Sequence, residues 1–394
     1  MRLTQDAKTY IAGVLFGIYY ASALPDVTML VVEQPGLMGI CNQVRTYSVY
    51  GIYLLAAYTL ITGFLDSRGD GILTWVKRHL PFLAALAVCA CVKVSTGDML
   101  PLKIVLFMAA VHKTDLKKIF MILLGVHIVF TLLVFAAFRA GMITDVIVPR
   151  KNGAIRHSLG FIYPLDLHGH YLSMVFMYMY IRAEKFGIRD ALLVNALSAL
   201  LFIATNARTD LAVILLASLV LAAVNRIGLK KIGTCAAGIC AAAYTLALSV
   251  TPFILTAVYD PENAFMARLN RMLTGRLAIQ HRVIRETGYP LFGRVMEWIG
   301  WGAYDGTDRP DYNFIDCTFL KDTVDFGILF EILFIIGMIA LFVYLLKKED
   351  LPSVVIMAFF LLSCTIEYHT VLTYMYPILL LLNNVLIYEG KEIT

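Results

Sequence analysis

The chain of 394 residues is 60% hydrophobic, carries charge on only 15% of its residues and has a mean hydropathy of +0.76. A soluble domain is about half apolar and a quarter charged, so this composition leaves too little polar surface for a water-soluble globule, and lipid becomes the main solvent. The formal net charge of +5 says little until the charges are placed, and the seven cysteines match no zinc or disulfide spacing and read as small packing residues.

Apolar runs of about the 20 residues needed to cross a bilayer predict an all-α polytopic integral membrane protein with about 12 transmembrane helices, at 10–32, 44–65, 79–96, 99–112, 119–140, 164–183, 190–206, 210–225, 232–258, 323–346, 351–365 and 371–388. The first run is too long for the apolar part of a cleaved signal. One set of connections is short and basic: Arg68 with Lys77 and Arg78, Lys113 with Lys117 and Lys118, Arg182 with Lys185 and Arg189, Arg226 with Lys230 and Lys231, Lys347 with Lys348. Cytoplasmic loops carry that bias, so both termini are expected inside, which fits an even helix count. The other set holds a medium loop at 141–163 and a large extracytoplasmic loop at 259–322. On this assignment the inside carries 11 Lys and 6 Arg, and the outside 4 Lys and 12 Arg. Long loops escape the positive-inside rule, which explains basic residues outside but not their change of type. A guanidinium fork grips phosphate through two bonds where an ammonium cannot, so the change points to phosphate recognition outside.

In the medium loop, Arg156 and His157 precede a Gly/Pro turn, Asp166 and the pair His168-x-His170. Residues two apart on a helix face different ways, which argues against metal; one His is expected to cap the helix and the other to face a polar cavity. A turn after the seventh helix, Asn206-Ala-Arg208-Thr-Asp210, sets an arginine at the bundle mouth, where it either snorkels or faces a ligand. In the large loop, apolar residues from Leu269 to Ile284 recur at helical spacing. They predict an amphipathic helix broken near Gly275 that lies in the membrane interface. Its Arg268, Arg271, Arg276 and Arg282 either touch lipid headgroups or hold a lipid-linked phosphate. Trp298, Trp301, Tyr304, Tyr312 and several Asp residues follow, a composition that suits sugars and also ordinary turns. Glu331 lies within the tenth helix, and Glu367 and His369 in the last outer loop are placed to line the same mouth.

Four short motifs within residues 150–330 resemble those of bacterial Wzy-type O-antigen and exopolysaccharide repeat-unit polymerases and the related O-antigen ligases. Arg156-His-Ser-Leu-Gly160-Phe with Pro164 is similar to the family's Arg-x-x-x-Gly-x-x-x-Pro stretch. Asn206-Ala-Arg208-Thr resembles its short Ser/Asn–Arg–Thr turn, and Thr274-Gly275-Arg276 with Pro290-Leu-Phe-Gly293 its large-loop signature. Asp316-x-Thr318-Phe319 before Gly327 resembles its Asp-Asn-x-Tyr pattern, with Cys317 in place of the Asn and Asp166 where an Asn is expected. The resemblance implies a GT-C-like glycosyltransferase in the bacterial cytoplasmic membrane. It would act outside on undecaprenyl-diphosphate-linked oligosaccharide, with a chain-length regulator and a flippase of the same pathway as partners, and no cofactor, metal or nucleic acid. Arg156, Arg208 and Arg276 would hold the diphosphate, with Arg268, Arg271 and Arg282 behind them. Asp316, His157 and His281 are the candidates for acceptor activation or sugar binding. The ligase is the nearest rival. A lipid-linked oligosaccharide flippase is the rival of another class, less favoured because transporters set ionisable residues at the midplane.

Overall fold

The computed structural model describes residues 3–66, 72–150, 153–228 and 234–387; Arg68, Lys230, Lys231 and the end of the expected last span lie outside them. The protein is mostly helical. In chain order come α1 (Gln5–Ala23), α2 (Leu30–Glu33), α3 (Pro35–Asp66), α4 (Ile72–Arg78), α5 (Leu80–Thr96), α6 (Leu100–Val111) and α7 (Leu116–Arg139). After a hairpin of β1 (Ile147–Pro149) and β2 (Ile155–His157) follow α8 (Pro164–Arg182), α9 (Ile188–Thr205), α10 (Arg208–Ile227), α11 (Thr234–Ala257), α12 (Ala264–Met272) and α13 (Arg276–Thr287). The chain closes with α14 (Thr318–Phe326), α15 (Ile328–Lys347), α16 (Leu351–Ser363) and a 3-10 turn (Pro377–Leu382) that runs into α17 (Asn383–Leu386).

Among the described residues seven helices, α1, α3, α7, α9, α10, α11 and α15, are long and apolar enough to cross a membrane. Their outer faces are strongly apolar: Leu132, Leu200, Ile203 and Ile239 are each more than 60% exposed, which water would penalise and lipid does not. α5, α6, α16 and Pro377–Leu386 are apolar but shorter. α8 stands apart. Every residue from Asp166 to Met177 is buried, the mark of a helix enclosed on all sides, and it packs against α7, α9, α10 and α16.

Four expected spans differ from the helices found, each for a local reason. The first stops at Ala23 because Pro25 has no N–H to continue the ladder, and a 3-10 turn carries the chain to Val27. The tenth begins earlier, at Thr318, and breaks at Gly327, whose φ of +92° lies in the left-handed region. The last is no straight span: residues 372–376 are not helical, since Pro377 disfavours the helical region for the residue before it. The second is extended back to Pro35. Its polar start is tolerated because Arg45 donates to Asp26 Oδ1 at 2.8 Å and to Asn42 Oδ1 at 2.7 Å.

Opposite ends of the bundle are tied differently. At one, the Lys8 ammonium donates to the His112 carbonyl and Asp115 N–H to Thr9 Oγ1. At the other, Met29 N–H bonds the Gly160 carbonyl and Ile162 N–H the Val27 carbonyl, so the end of α1 clamps the medium loop. That second end carries the candidate site.

Candidate functional site

Six chain segments bring ionisable side chains to one place. Asp166 sits in the first turn of α8, and Asp210 in the first turn of α10, just past Asn206, which takes a left-handed φ of +50°. Arg276 opens α13 after a turn at Thr274 and Gly275 with φ of +58° and +89°. Asp316 precedes α14. Glu367 and His369 lie in the turn after α16, and Arg150 and Arg156 on the hairpin. The turn after α16 is pinned to α14: Thr318 N–H bonds the Cys364 carbonyl at 2.9 Å, and Thr318 Oγ1 lies 2.5 Å from Thr370 Oγ1 and bonds the Glu367 carbonyl. Gly169 makes room on α8, since a Cβ there would meet Glu367 Oε2 at 3.4 Å.

At the centre Arg276 Nε lies 2.8 Å from Asp316 Oδ2, both side chains about three-quarters enclosed, and Arg276 Nη1 reaches the Ile366 carbonyl at 3.5 Å. His369 bridges two carboxyls loosely, with Nε2 3.8 Å from Asp166 Oδ1 and Nδ1 3.7 Å from Glu367 Oε2. Asp210 is fully buried and faces Glu367, yet the approach is too loose for a regular hydrogen bond and both its oxygens are unpartnered, as is the Tyr376 hydroxyl. Buried polar groups are normally paired, so these oxygens are free to take a polar partner. Burial, then the charge of Asp316, pushes the Glu367 carboxyl up to about 8. Burial also raises Asp316 against the pull of Arg276, and lowers His369 against the pull of Asp166, so the imidazole is neutral at neutral pH.

Beside the acids stands a group of arginines. Arg156 is buried, donates to the Tyr163 hydroxyl at 3.0 Å and lies 5.2 Å above the same ring. Arg150 donates to the Asn206 carbonyl at 2.9 Å. Its pKa is lowered by burial and then by the charges of Arg156, Arg208 and Arg276. The three arginines singled out first in the sequence are therefore gathered around a fourth, Arg150, which was not. Arg208 is exposed and bonds only locally among the contacts seen, Nε to Asn206 Oδ1 at 3.3 Å, so it stands at the mouth.

Other expectations are corrected. His157 lies outside the cluster: its Nδ1 is 2.6 Å from Asp145 Oδ2, and Asp145 also accepts from the Ser158 and Leu159 N–H groups, so the histidine clamps the hairpin loop. His281 donates to the Thr256 carbonyl at 2.7 Å and packs on Tyr259, joining α13 to α11. Neither is seen in contact with the Arg276–Asp316 pair or the acids around it. Arg268 and Arg271 are exposed on α12, and Arg282 bonds the Tyr312 carbonyl from the surface of α13. His168 does not cap α8; it bonds Ser198 and Thr205 of α9, while His170 bonds Thr131 and stacks on His127 at 4.7 Å. Trp298 is no open sugar platform, because it donates to Asp325 and lies under Lys321 at 4.7 Å. Asp305 bonds Thr307 within its own turn. Among the described residues no three His, Cys, Asp or Glu side chains are arranged to hold a metal ion.

Of the acidic half, sequence reasoning named Asp316 and Glu367 but gave no site role to Asp166 and Asp210. Asp210 reads locally as a cap, and Asp166 as a departure from a motif. Their shared property, a carboxyl one turn inside an apolar helix, was the available signal. Comparison of the chain with protein-family models, with curated proteins and with solved structures returned no match.

Proposed function

We propose that the protein is a glycosyltransferase that takes oligosaccharide from a polyprenyl diphosphate and joins it to a second lipid-linked unit, a repeat-unit polymerase of O-antigen, capsule or exopolysaccharide synthesis. The observation that carries the reading is the convergence of Arg150, Arg156, Arg208 and Arg276 beside four enclosed carboxyls at one end of an apolar bundle. In the reaction the bond from the anomeric carbon to the diphosphate oxygen breaks and one to the acceptor oxygen forms. Charge gathers on the departing diphosphate, where preorganised guanidinium groups stabilise it. The acceptor hydroxyl gives its proton to a carboxylate. Asp316 takes that role once Arg276 turns from it to the phosphate, while His369 holds Asp166 and Glu367 apart.

The reading places the site outside the bacterial cytoplasmic membrane. Counting α8 and the four shorter apolar helices with the seven long ones makes twelve crossings, which returns both termini to the lysine-rich side.

One observation favours transport instead. Glu331 in α15 is fully buried with both oxygens unpartnered, close to the buried Asp322, and such groups serve proton relays in transporters. Sizing the lipid-linked and surface glycans of a strain without the gene separates the readings. A surface glycan reduced to one repeat unit supports a polymerase. Long chains kept on the lipid carrier mean a ligase, and repeats trapped inside mean a flippase.

A further inference from the structure

None of the residues of α12 is buried. Phe265, Leu269 and Met272, at spacings of four and three, share one face; Phe265 and Met272 are 68% and 73% exposed. Arg268 borders that face on one side, and Arg271 lies beyond it on the same side toward the polar surface; both are exposed. On the far side Asn270 Oδ1 accepts from Ala278 N–H at 3.1 Å, which fixes how the helix is turned relative to α13. The apolar face has a neighbour in sequence and in kind: α11, long and apolar enough to cross a membrane, ends six residues earlier with Ile254 and Val258 more than half exposed. An apolar stripe continuous with such a surface, with two guanidinium groups along one side, matches the acyl boundary and phosphates of a bilayer.

We propose that α12 is seated in the bilayer surface, its Phe265–Leu269–Met272 face among acyl chains and Arg268 and Arg271 on the phosphates of anionic headgroups. These two arginines then anchor the helix that leads into the turn before Arg276, and do not hold a substrate. The proposal requires a bilayer and is independent of glycosyl transfer.

The full chain, in nanodiscs, tests it. Cys41, Cys91, Cys235 and Cys240 are replaced by alanine, and a nitroxide is attached through Phe265→Cys or Met272→Cys, with Asp308→Cys on the exposed loop as reference. Collisions with oxygen report the bilayer, and collisions with a water-soluble nickel chelate report solvent. Oxygen is expected to dominate at 265 and 272 and nickel at 308. Changing phosphatidylcholine for phosphatidylglycerol should deepen both labels, and Arg268→Gln with Arg271→Gln should abolish that response, each arginine shifting the seated population about fivefold. Solvent-like collisions at 265 and 272 in every lipid overturn the proposal. So does shielding that grows with protein density and ignores lipid charge, which would assign the face to a second copy of the chain.

Discussion

Gly293→Ala should be among the most damaging small substitutions in this protein, while Gly275→Ala should be mild. Both glycines have positive φ, +77° and +89°, so each alanine meets the left-handed penalty of about 1–2 kcal/mol. Their surroundings differ. A Cβ on Gly275 would meet nothing within 4 Å, whereas one on Gly293 would lie 2.6 Å from the Asp325 carbonyl carbon and 2.8 Å from Phe326 Cα, and nearer still to the Asp325 oxygen. Carbon atoms pack at about 3.5–4.0 Å, so backbone must move by about 1 Å. It has little freedom to do so, because Arg294 N–H bonds the Val324 carbonyl and Ile328 N–H the Pro290 carbonyl, both at 2.9 Å. Overpacking of this kind costs about 1–3 kcal/mol, for a total of about 2–5 kcal/mol against about 1–2 for Gly275→Ala. Thermal unfolding of the detergent-solubilised variants, followed by loss of the monodisperse chromatographic peak, measures the difference. Equal midpoints for the two variants would refute the close contact between the 290–294 segment and the Gly327 break.

Arg276→Lys should shorten the surface glycan to about one repeat unit at unchanged protein level, since a point charge cannot grip a phosphate through two bonds as a fork does; a normal ladder would remove Arg276 from the chemistry. Glu367 binds its proton more tightly folded than unfolded, its pKa pushed up to about 8 by burial from the ordinary 4.5. Its contribution to stability is therefore full below pH 4.5 and is lost as pH rises toward 8, with a slope of at most ~1.4 kcal/mol per pH unit. Glu367→Gln should flatten that slope, and midpoints that fall as steeply in the variant as in wild type would assign the slope to other groups. His157→Ala should lower the unfolding midpoint through the freed Asp145 loop while leaving the glycan ladder intact; loss of the ladder in a well-folded variant would return the histidine to the site.

The long apolar helices were legible because composition and length alone decide them. So was the break at Gly275, since an apolar helical period interrupted by glycine has few other outcomes. Arg156, Arg208 and Arg276 were singled out from three connections expected on the same side of the bundle, and their nearness to Arg150 accords with that topology. The failures share a cause. His157 and His281 are chemically versatile residues in polar loops, and only coordinates reveal that Asp145 and the Thr256 carbonyl already occupy them. α8 was among the expected spans, but its enclosure was not legible, because its polar positions are matched by Thr131, Ser198 and Thr205 on two other helices. No local pattern encodes such cross-helix partners.

The arrangement of charge suggests why Arg276 and Asp316 are paired at rest. Arg150 feels Arg156, Arg208 and Arg276, and Glu367 feels Asp316, Arg276 and Asp210. The Arg276–Asp316 pair is thus the seam between a basic and an acidic half. An anion entering the basic half competes for Arg276. As the guanidinium turns away, Asp316 keeps its burial and its acidic neighbours but loses its main counter-charge, so its affinity for a proton rises. Binding one substrate would in this way create the base that the other requires, and a proton would not be taken up before the leaving group is held. Asp316→Asn removes the base and leaves the arginines. It should retain binding of inorganic diphosphate to the purified protein while abolishing polymer, and loss of both together would show that Asp316 serves only to hold Arg276 in place.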